Sequence, residues 1–426
     1  MGKGKFANQK CSCVSGKKFK KCCLSSPVLK VDHQKHYFRL KGAKAEEMVQ
    51  DLANKSFFID WCYPNPKLPN GKELCDLLII FDDIAIIWQI KDLKLDANNK
   101  YKKAEVEKNL KQLSGAYRQL FDLKTEINLA NPRRGLEVFD PKNIKQVYLI
   151  SALLGEGEDY YTGFEYVKEH LVHIFTRNFI EIALNELDTI SDFSKYLKSV
   201  EEFHKSKSSV VIMGGYEELL AYYIFNGKSF ENLNKANMVL LDEGSWNELQ
   251  KKPEYIAKQE ADQVSYGWDS IINTVHTGSS KYEKVAKELA RSDRFQRRYL
   301  SKIFLDAHVI SHNDNNDNLF RRMLPMDSCT YCFLFMDDPE PRENRKSMLA
   351  AMCFIARGIY KDNKKVIGVA TEKKLKPTCS YDFCLLEMPE WTERDNEQMK
   401  KLQAETKIFT NPTYEEAHED EFPQTK

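Results

Sequence analysis

Apolar residues recur along the chain with two different spacings, and each spacing predicts its own kind of element. Intervals of three and four residues predict helices over residues 43–55 and 100–123; Ala45, Met48 and Leu52 share one face of the first. Continuous apolar runs at residues 74–81, 84–91 and 146–154 predict strands. Residues 31–155 are therefore expected to form an α/β domain, in which helices flank a mixed sheet.

Beyond residue 155 the pattern changes twice. Helical spacing dominates residues 156–318, and residues 319–412 return to a mixed α/β pattern with strand-like runs at 330–335 and 365–370. Residues 413–426 are acidic and polar, which predicts a disordered tail. Residues 1–30 are rich in Lys and Cys but poor in core-forming residues, so we expect a small module that is held together by metal.

The composition of the chain indicates a cellular compartment but does not identify a function. The chain has 426 residues and a formal net charge of +1, so a nucleic-acid surface would have to be a local patch. Residues 1–10 lack the apolar core of a signal peptide, and no apolar run approaches the ~20 residues of a membrane span. We therefore expect a cytoplasmic protein without a membrane partner. In that reducing compartment, eleven cysteines are not expected to form a disulfide framework, and the crowding of four of them within thirteen residues points to metal.

The runs at residues 78–81 and 84–87 are separated only by Asp82 and Asp83, which predicts a β-hairpin. A two-residue turn would place Asp76 opposite Gln89, with Lys91 on the same face of the sheet as Gln89. A three-residue loop would instead move Gln89 to the opposite face, so the prediction depends on the register.

This predicted cluster suits metal-assisted phosphate chemistry. Asp76 offers a negative oxygen ligand and the Gln89 side-chain carbonyl a neutral one, as Mg²⁺ or Mn²⁺ requires. Lys91 could hold or activate an attacking water and offset charge in the transition state. Glu46, on the preceding helix, is a further candidate ligand. The alternative is a buried sheet whose rim carries an Asp and a Lys that only end the strands.

The order Gly42-Ala43-Lys44-Ala45-Glu46, then Asp76, then Gln89-Ile90-Lys91 resembles the G-x-x-x-E, D, Q-x-K arrangement of Mrr-like restriction endonucleases. These enzymes belong to the PD-(D/E)xK nuclease superfamily. The resemblance covers residues 41–154 and implies a restriction-endonuclease-like fold, Mg²⁺-dependent phosphodiester cleavage and catalytic roles for Glu46, Asp76, Gln89 and Lys91.

Cys75 and Gln89 depart from the motif of the wider superfamily, although Gln at this position is common in the Mrr branch. Cys75 stands where the superfamily motif has Pro, and Gln89 stands where most members have Glu, which removes a negative charge from the metal site. Gln112 and Tyr117, on the following helix, are similar to the Gln-containing helix of RecB-like nucleases, but their spacing is one residue too long. Gln112 is therefore a candidate site or DNA contact only.

Four cysteines near the N-terminus form the most specific motif. The segment from Cys11 through Cys13 to Cys22 and Cys23 resembles the SEC-C motif, named from the C-terminus of the SecA translocation ATPase. That resemblance implies a structural Zn²⁺ site with these four cysteines as ligands. The alternative is a set of reactive or palmitoylated surface cysteines beside a basic run.

Two further clusters allow two interpretations each. Cys329 and Cys332 could bind metal or cycle between redox states, but the apolar residues around them favour two buried strand cysteines. The arginines between Arg291 and Arg298 could contact phosphate, or they could form an ordinary helix face paired with acids such as Glu288.

The leading hypothesis is a cytoplasmic Mg²⁺-dependent DNA endonuclease, for which the Mrr-like resemblance suggests antiviral defence. A homo-oligomer or a defence-system partner protein would fit that role. The alternatives are an RNase or a DNA-repair exonuclease, and an inactive adaptor that binds nucleic acid or protein.

Overall fold

The computed structural model describes residues 43–93, 95–96, 98, 100–155, 163–206, 209–233, 236–278, 280–313, 320–337, 342–374 and 379–423. The chain divides into a first unit, Met1–Met48, and a second unit, Val49–Lys426. In the first unit the described residues form the start of one helix. Residues 1–30, the predicted zinc module, lie outside the described residues, as does Gly42.

Helices and strands alternate in the first half of the chain, and helices dominate the middle. The helices, in chain order, are α1 (Ala43–Phe57), α2 (Lys103–Tyr117), α3 (Arg177–Glu186), α4 (Ile190–Ser206), α5 (Tyr216–Phe225), α6 (Ser245–Lys251), α7 (Pro253–Ala261), α8 (Tyr266–Gly278), α9 (Glu283–Ala290), α10 (Arg294–Asn313), α11 (Glu343–Ile359) and α12 (Glu393–Thr406). Within the described residues, none of them has both the length and the apolar character of a membrane span.

The strands, in chain order, are β1 (Cys62–Pro64), β2 (Leu77–Phe81), β3 (Ile84–Asp92), β4 (Ile127–Asn131), β5 (Gly135–Phe139), β6 (Gln146–Leu154), β7 (Gly163–Val167), β8 (His170–Thr176), β9 (Ser209–Ile212), β10 (Met238–Leu241), β11 (Phe320–Pro325), β12 (Thr330–Phe335), β13 (Lys365–Thr371) and β14 (Asp382–Glu387). Strands β4 and β5 form a separate antiparallel hairpin, and β9 and β10 a separate parallel pair.

The largest sheet has six strands in the order β1-β2-β3-β6-β8-β7. It is mixed: β3, β6 and β8 run parallel, whereas β1, β2 and β7 pair antiparallel with their neighbours. The predicted mixed sheet is thus confirmed. Its last two strands lie beyond residue 155, the point at which we placed the end of the domain.

Helices cover both faces of this sheet. On one face, Leu113 of α2 packs in a single buried cluster with Ile87 and Leu149. On the other face, the ring of Trp88 stacks on Phe193 of α4, with centroids 6.0 Å apart. Such two-sided burial explains why β3 and β6 are almost continuously apolar, since parallel strands covered on both faces have no solvent side.

A second mixed sheet, in the order β11-β12-β13-β14, lies near the C-terminus. Strands β12 and β13 are parallel and are joined through α11, whose Leu349 and Met352 pack in the buried cluster beneath them. The predicted return to an α/β pattern is confirmed by these strands.

The acidic segment that we predicted to be disordered contacts helix α10. The side chain of Lys302 pairs with Glu419 at 2.7 Å, and the Tyr299 hydroxyl donates to the carbonyl of Ala417 at 3.2 Å. No helix or strand is assigned between residues 407 and 423.

The buried His204 on α4 makes stability depend on pH. Its Nε2 lies 2.9 Å from the Tyr216 hydroxyl, and burial, together with the nearby His173, lowers the pKa of His204 from 6.5 to about 3. Between those two values the unfolded chain binds a proton that the folded chain excludes. The contribution of His204 to the free energy of unfolding is therefore fully present above pH 6.5 and is lost as the pH falls towards 3.

We expect the wild type to lose about 2 kcal/mol of unfolding free energy between pH 7.5 and pH 5 through this residue alone. Urea unfolding at the two pH values would measure it. His204→Gln keeps a partner for Tyr216 but does not titrate, so its loss should be smaller by that amount. An equal loss in both proteins would contradict the prediction.

Candidate active site

The hairpin of β2 and β3 has the predicted register. Phe81 pairs with Ile84 and Leu77 pairs with Trp88, which leaves Asp82 and Asp83 as a two-residue turn. Asp82 adopts a φ of 52°, in the left-handed region that Asp tolerates better than most residues. The three-residue loop, which would have moved Gln89 to the other face, is thereby excluded.

The carboxylate of Asp76 lies where β2 begins, and it contacts Gln89 directly. Its Oδ2 accepts hydrogen bonds from the side-chain Nε2 of Gln89, at 2.5 Å, and from the backbone N–H of Ile90. Strand β3 continues beyond its last pair with β2, so the Ile90 amide would otherwise lack a strand partner on the β2 side. Asp76 therefore ends the pairing of β2 and β3 and also holds the Gln89 amide.

Lys91 follows Gln89 by two residues on β3 and so projects from the same face of the sheet. Gln89 pairs with Ser151 of β6, and Lys91 pairs with Leu153. Gln89 is buried, whereas Lys91 is partly exposed. The structure thus brings Asp76, Gln89 and Lys91 to one end of the hairpin, where the buried Asp76 and Gln89 contact each other and the partly exposed Lys91 shares the sheet face of Gln89.

Glu46 lies in the first turn of α1 and belongs to the first unit of the chain. The three other predicted site residues belong to the second unit. Its role as an additional ligand therefore stays a prediction.

The thiol of Cys75, which stands at the motif's Pro position, is buried. Burial and the neighbouring Asp76 carboxylate raise its pKa well above the usual value for a thiol. Because only the thiolate is a good nucleophile or metal ligand, Cys75 is a packing residue here.

Helix α2 presents to the sheet a polar residue that the sequence analysis missed. Asn109 is fully buried and donates from Nδ2 to the backbone carbonyl of Gln89 at 3.3 Å. Gln112, the residue we had singled out on this helix, is exposed. A signal was present, because Asn109 interrupts the apolar stripe formed by Val106 and Leu113.

Cys329 and Cys332 are buried in or beside strand β12, as the packing interpretation predicted. Burial raises the pKa of Cys329 to about 12, which disfavours the thiolate needed for redox cycling or metal binding.

The phosphate-contact interpretation is wrong for most of the arginine cluster. Arg294 and Arg297 are buried, and both pair with Asp269, at 2.9 and 2.8 Å. Arg298 is buried as well and pairs with Asp262. Arg291 alone among the four is exposed, and it pairs with Glu288 as expected. These guanidinium groups hold the helical region together, because their acidic partners come from distant parts of the chain.

The residues that the structure describes contain no group of three or more His, Cys, Asp or Glu side chains placed to hold a metal ion. The candidate centre therefore rests on one carboxylate and one amide, with Glu46 as a predicted addition. The four predicted zinc ligands lie outside the described residues: Cys11, Cys13, Cys22 and Cys23.

Comparisons with protein-family models, with curated proteins and with solved structures find no significant match to this chain.

Proposed function

We propose that this protein is a Mg²⁺-dependent nuclease that hydrolyses phosphodiester bonds in DNA. The observation that carries the proposal is the contact between the Asp76 carboxylate and the Gln89 amide, with Lys91 on the same face. The order of these residues along the chain, which resembles that of Mrr-like enzymes, and the helix-flanked mixed sheet give further support.

The carboxylate of Asp76 fits a hard divalent cation, and the amide of Gln89 would fit one with its carbonyl oxygen turned towards Asp76. Mg²⁺ and Mn²⁺ accept carboxylate and amide oxygens, and Mg²⁺ usually keeps several waters, so two or three protein ligands suffice. Asp76 would supply the negative oxygen and Gln89 its side-chain carbonyl, with Glu46 as the further candidate. A bound cation would polarise the phosphate and lower the pKa of a coordinated water.

The protein's own side chains would bind the phosphate and position the reacting groups. The Lys91 ammonium would donate hydrogen bonds to the phosphate oxygens, where negative charge grows in the transition state, or would orient the attacking water. The hydrogen bond from Ile90 to Asp76 fixes the carboxylate, so its position is set before a substrate arrives.

Two further assignments remain part of the proposal. The N-terminal cysteines would bind a structural Zn²⁺ and so fold a segment that is poor in core residues. A defence role, with a second copy or another protein as partner, rests on the resemblance alone.

The test compares the wild type with Asp76→Asn on plasmid DNA, linear DNA and RNA, with Mg²⁺, Mn²⁺ or a chelator. We expect metal-dependent DNA cleavage that falls about a thousandfold in the variant, equivalent to roughly 4 kcal/mol of transition-state stabilisation. Asp83→Asn is the matched control, because this acid lies at the other end of the same hairpin, and it should cleave like the wild type.

Each other outcome has a defined meaning. Equal cleavage by the wild type and Asp76→Asn would refute the proposed site. Cleavage of RNA alone would favour the RNase. Metal-dependent cleavage only from the ends of linear DNA would favour the exonuclease. Binding of nucleic acid without turnover on any substrate would favour the adaptor.

A further inference from the structure

Two buried polar atoms near Gln89 lack a hydrogen-bond partner among the described residues. They are the side-chain carbonyl oxygen of Asn109 and the hydroxyl of Ser151, and both residues are fully buried. A buried polar group without a partner costs about 1–3 kcal/mol, so the presence of two beside Gln89 requires an explanation.

Both residues lie on the face of the sheet that carries Gln89. Ser151 is the ladder partner of Gln89 on the parallel strand β6, and paired residues project from the same face. Helix α2 covers that face, since its Val106 packs with Leu153, two residues beyond Ser151. Asn109 reaches down from this helix to the Gln89 backbone carbonyl.

The orientation of the Gln89 amide provides the explanation. Its N–H₂ group points at the Asp76 carboxylate. A cation shared by Asp76 and Gln89 requires the carbonyl oxygen of the amide instead. The amide must then rotate about its terminal bond, and its N–H₂ group needs new acceptors, because leaving it unpaired in a buried site is costly.

We propose that Asn109 and Ser151 are positioning residues that accept hydrogen bonds from the rotated Gln89 amide. Their oxygens are two buried hydrogen-bond acceptors that stabilise the ligating orientation of Gln89. The inference rests on the proposed function, since it concerns a cation at the same site.

Mn²⁺ binding by the full-length protein tests the inference, measured by electron paramagnetic resonance of the free ion. Ser151→Ala and Asn109→Leu should each raise the Mn²⁺ dissociation constant by about tenfold, the size of effect that supporting residues have at metal sites. The thermal midpoint of Ser151→Ala should equal or exceed that of the wild type, because an unpaired buried hydroxyl has been removed.

Ser311→Ala is the matched control. The Ser311 hydroxyl is also buried and without a partner among the described residues, but it lies on α10. Its loss should leave Mn²⁺ binding unchanged. A structural role for Ser151 predicts a lower thermal midpoint instead, with unchanged Mn²⁺ binding.

The Gln89→Glu background gives the sharpest comparison. A carboxylate has no N–H₂ group to pair, so Ser151→Ala and Asn109→Leu should weaken Mn²⁺ binding less than about twofold in this background. An effect of the same size in both backgrounds would overturn the inference, even if the nuclease itself is established. Failure of the wild type to bind Mn²⁺, or equal binding by Asp76→Asn, would overturn the proposed function and the inference with it.

Discussion

Replacement of Lys91 by alanine is expected to slow DNA cleavage by about 10²–10³-fold, while Mn²⁺ binding changes by less than about twofold. The ammonium group lies on the same face as Gln89 but is partly exposed, so it can reach a phosphate without serving as a metal ligand. Its loss therefore removes stabilisation of the transition state only. Single-turnover cleavage and metal titration would separate the two effects.

Lys145→Ala serves as the control for Lys91→Ala. Lys145 lies near the turn of the same hairpin and is exposed, with its ammonium 3.6 Å from the Asp83 carboxylate. Its removal deletes a positive charge from the same domain but not from the candidate site, so cleavage should be unchanged. A loss of similar size in both variants would mean that Lys91 contributes only to the general attraction of DNA.

The largest expected effect on stability comes from Arg294. Its Nε lies 2.7 Å from the Asp188 carboxylate and its Nη1 lies 2.9 Å from that of Asp269, in a buried setting. Burial raises the pKa of Asp188, which shows how poorly this site tolerates a charged carboxylate. Arg294→Met leaves that carboxylate without its partner and should lower the free energy of unfolding by about 3–5 kcal/mol.

Chemical denaturation would measure this loss beside Arg291→Met. Arg291 lies just before the same helix and pairs with Asp82 and Glu288, but it is half exposed, so its replacement should cost less than about 1 kcal/mol. Addition of Asp188→Asn to Arg294→Met should recover part of the loss, because the unpaired charge is then gone. Equal losses for the two arginine variants would show that burial does not govern these pairs.

Local pattern was enough to predict the hairpin that forms the candidate site. The apolar runs on either side of Asp82 and Asp83 admitted few registers, and the two-residue turn selected the one that pairs Leu77 with Trp88. Strand β6 was predicted with its observed bounds, since buried parallel strands are unbroken apolar runs. In that register, the alternation of side chains along each strand predicted that Asp76, Gln89 and Lys91 lie on one face of the sheet.

Other features depended on contacts between distant parts of the chain. Arg294 and its partner Asp188 are 106 residues apart, so no local pattern could distinguish a buried arginine from a phosphate-binding one. Strands β9 and β10 have four residues each, which is too short for a clear period. Asn109 was overlooked because a single polar residue in an apolar helix stripe resembles a boundary of the stripe until the sheet beneath it is known.

The hydrogen bond between Ile90 and Asp76 affects the choice of an inactive variant for use in cells. Replacement of Asp76 by alanine would leave a buried amide of strand β3 without its acceptor, so loss of activity would be accompanied by loss of stability. Among the described residues, the Lys91 side chain makes no hydrogen bond within the hairpin. A catalytically silent form intended to capture bound nucleic acid, with abundance and partners intact, is therefore better built at Lys91 than at Asp76.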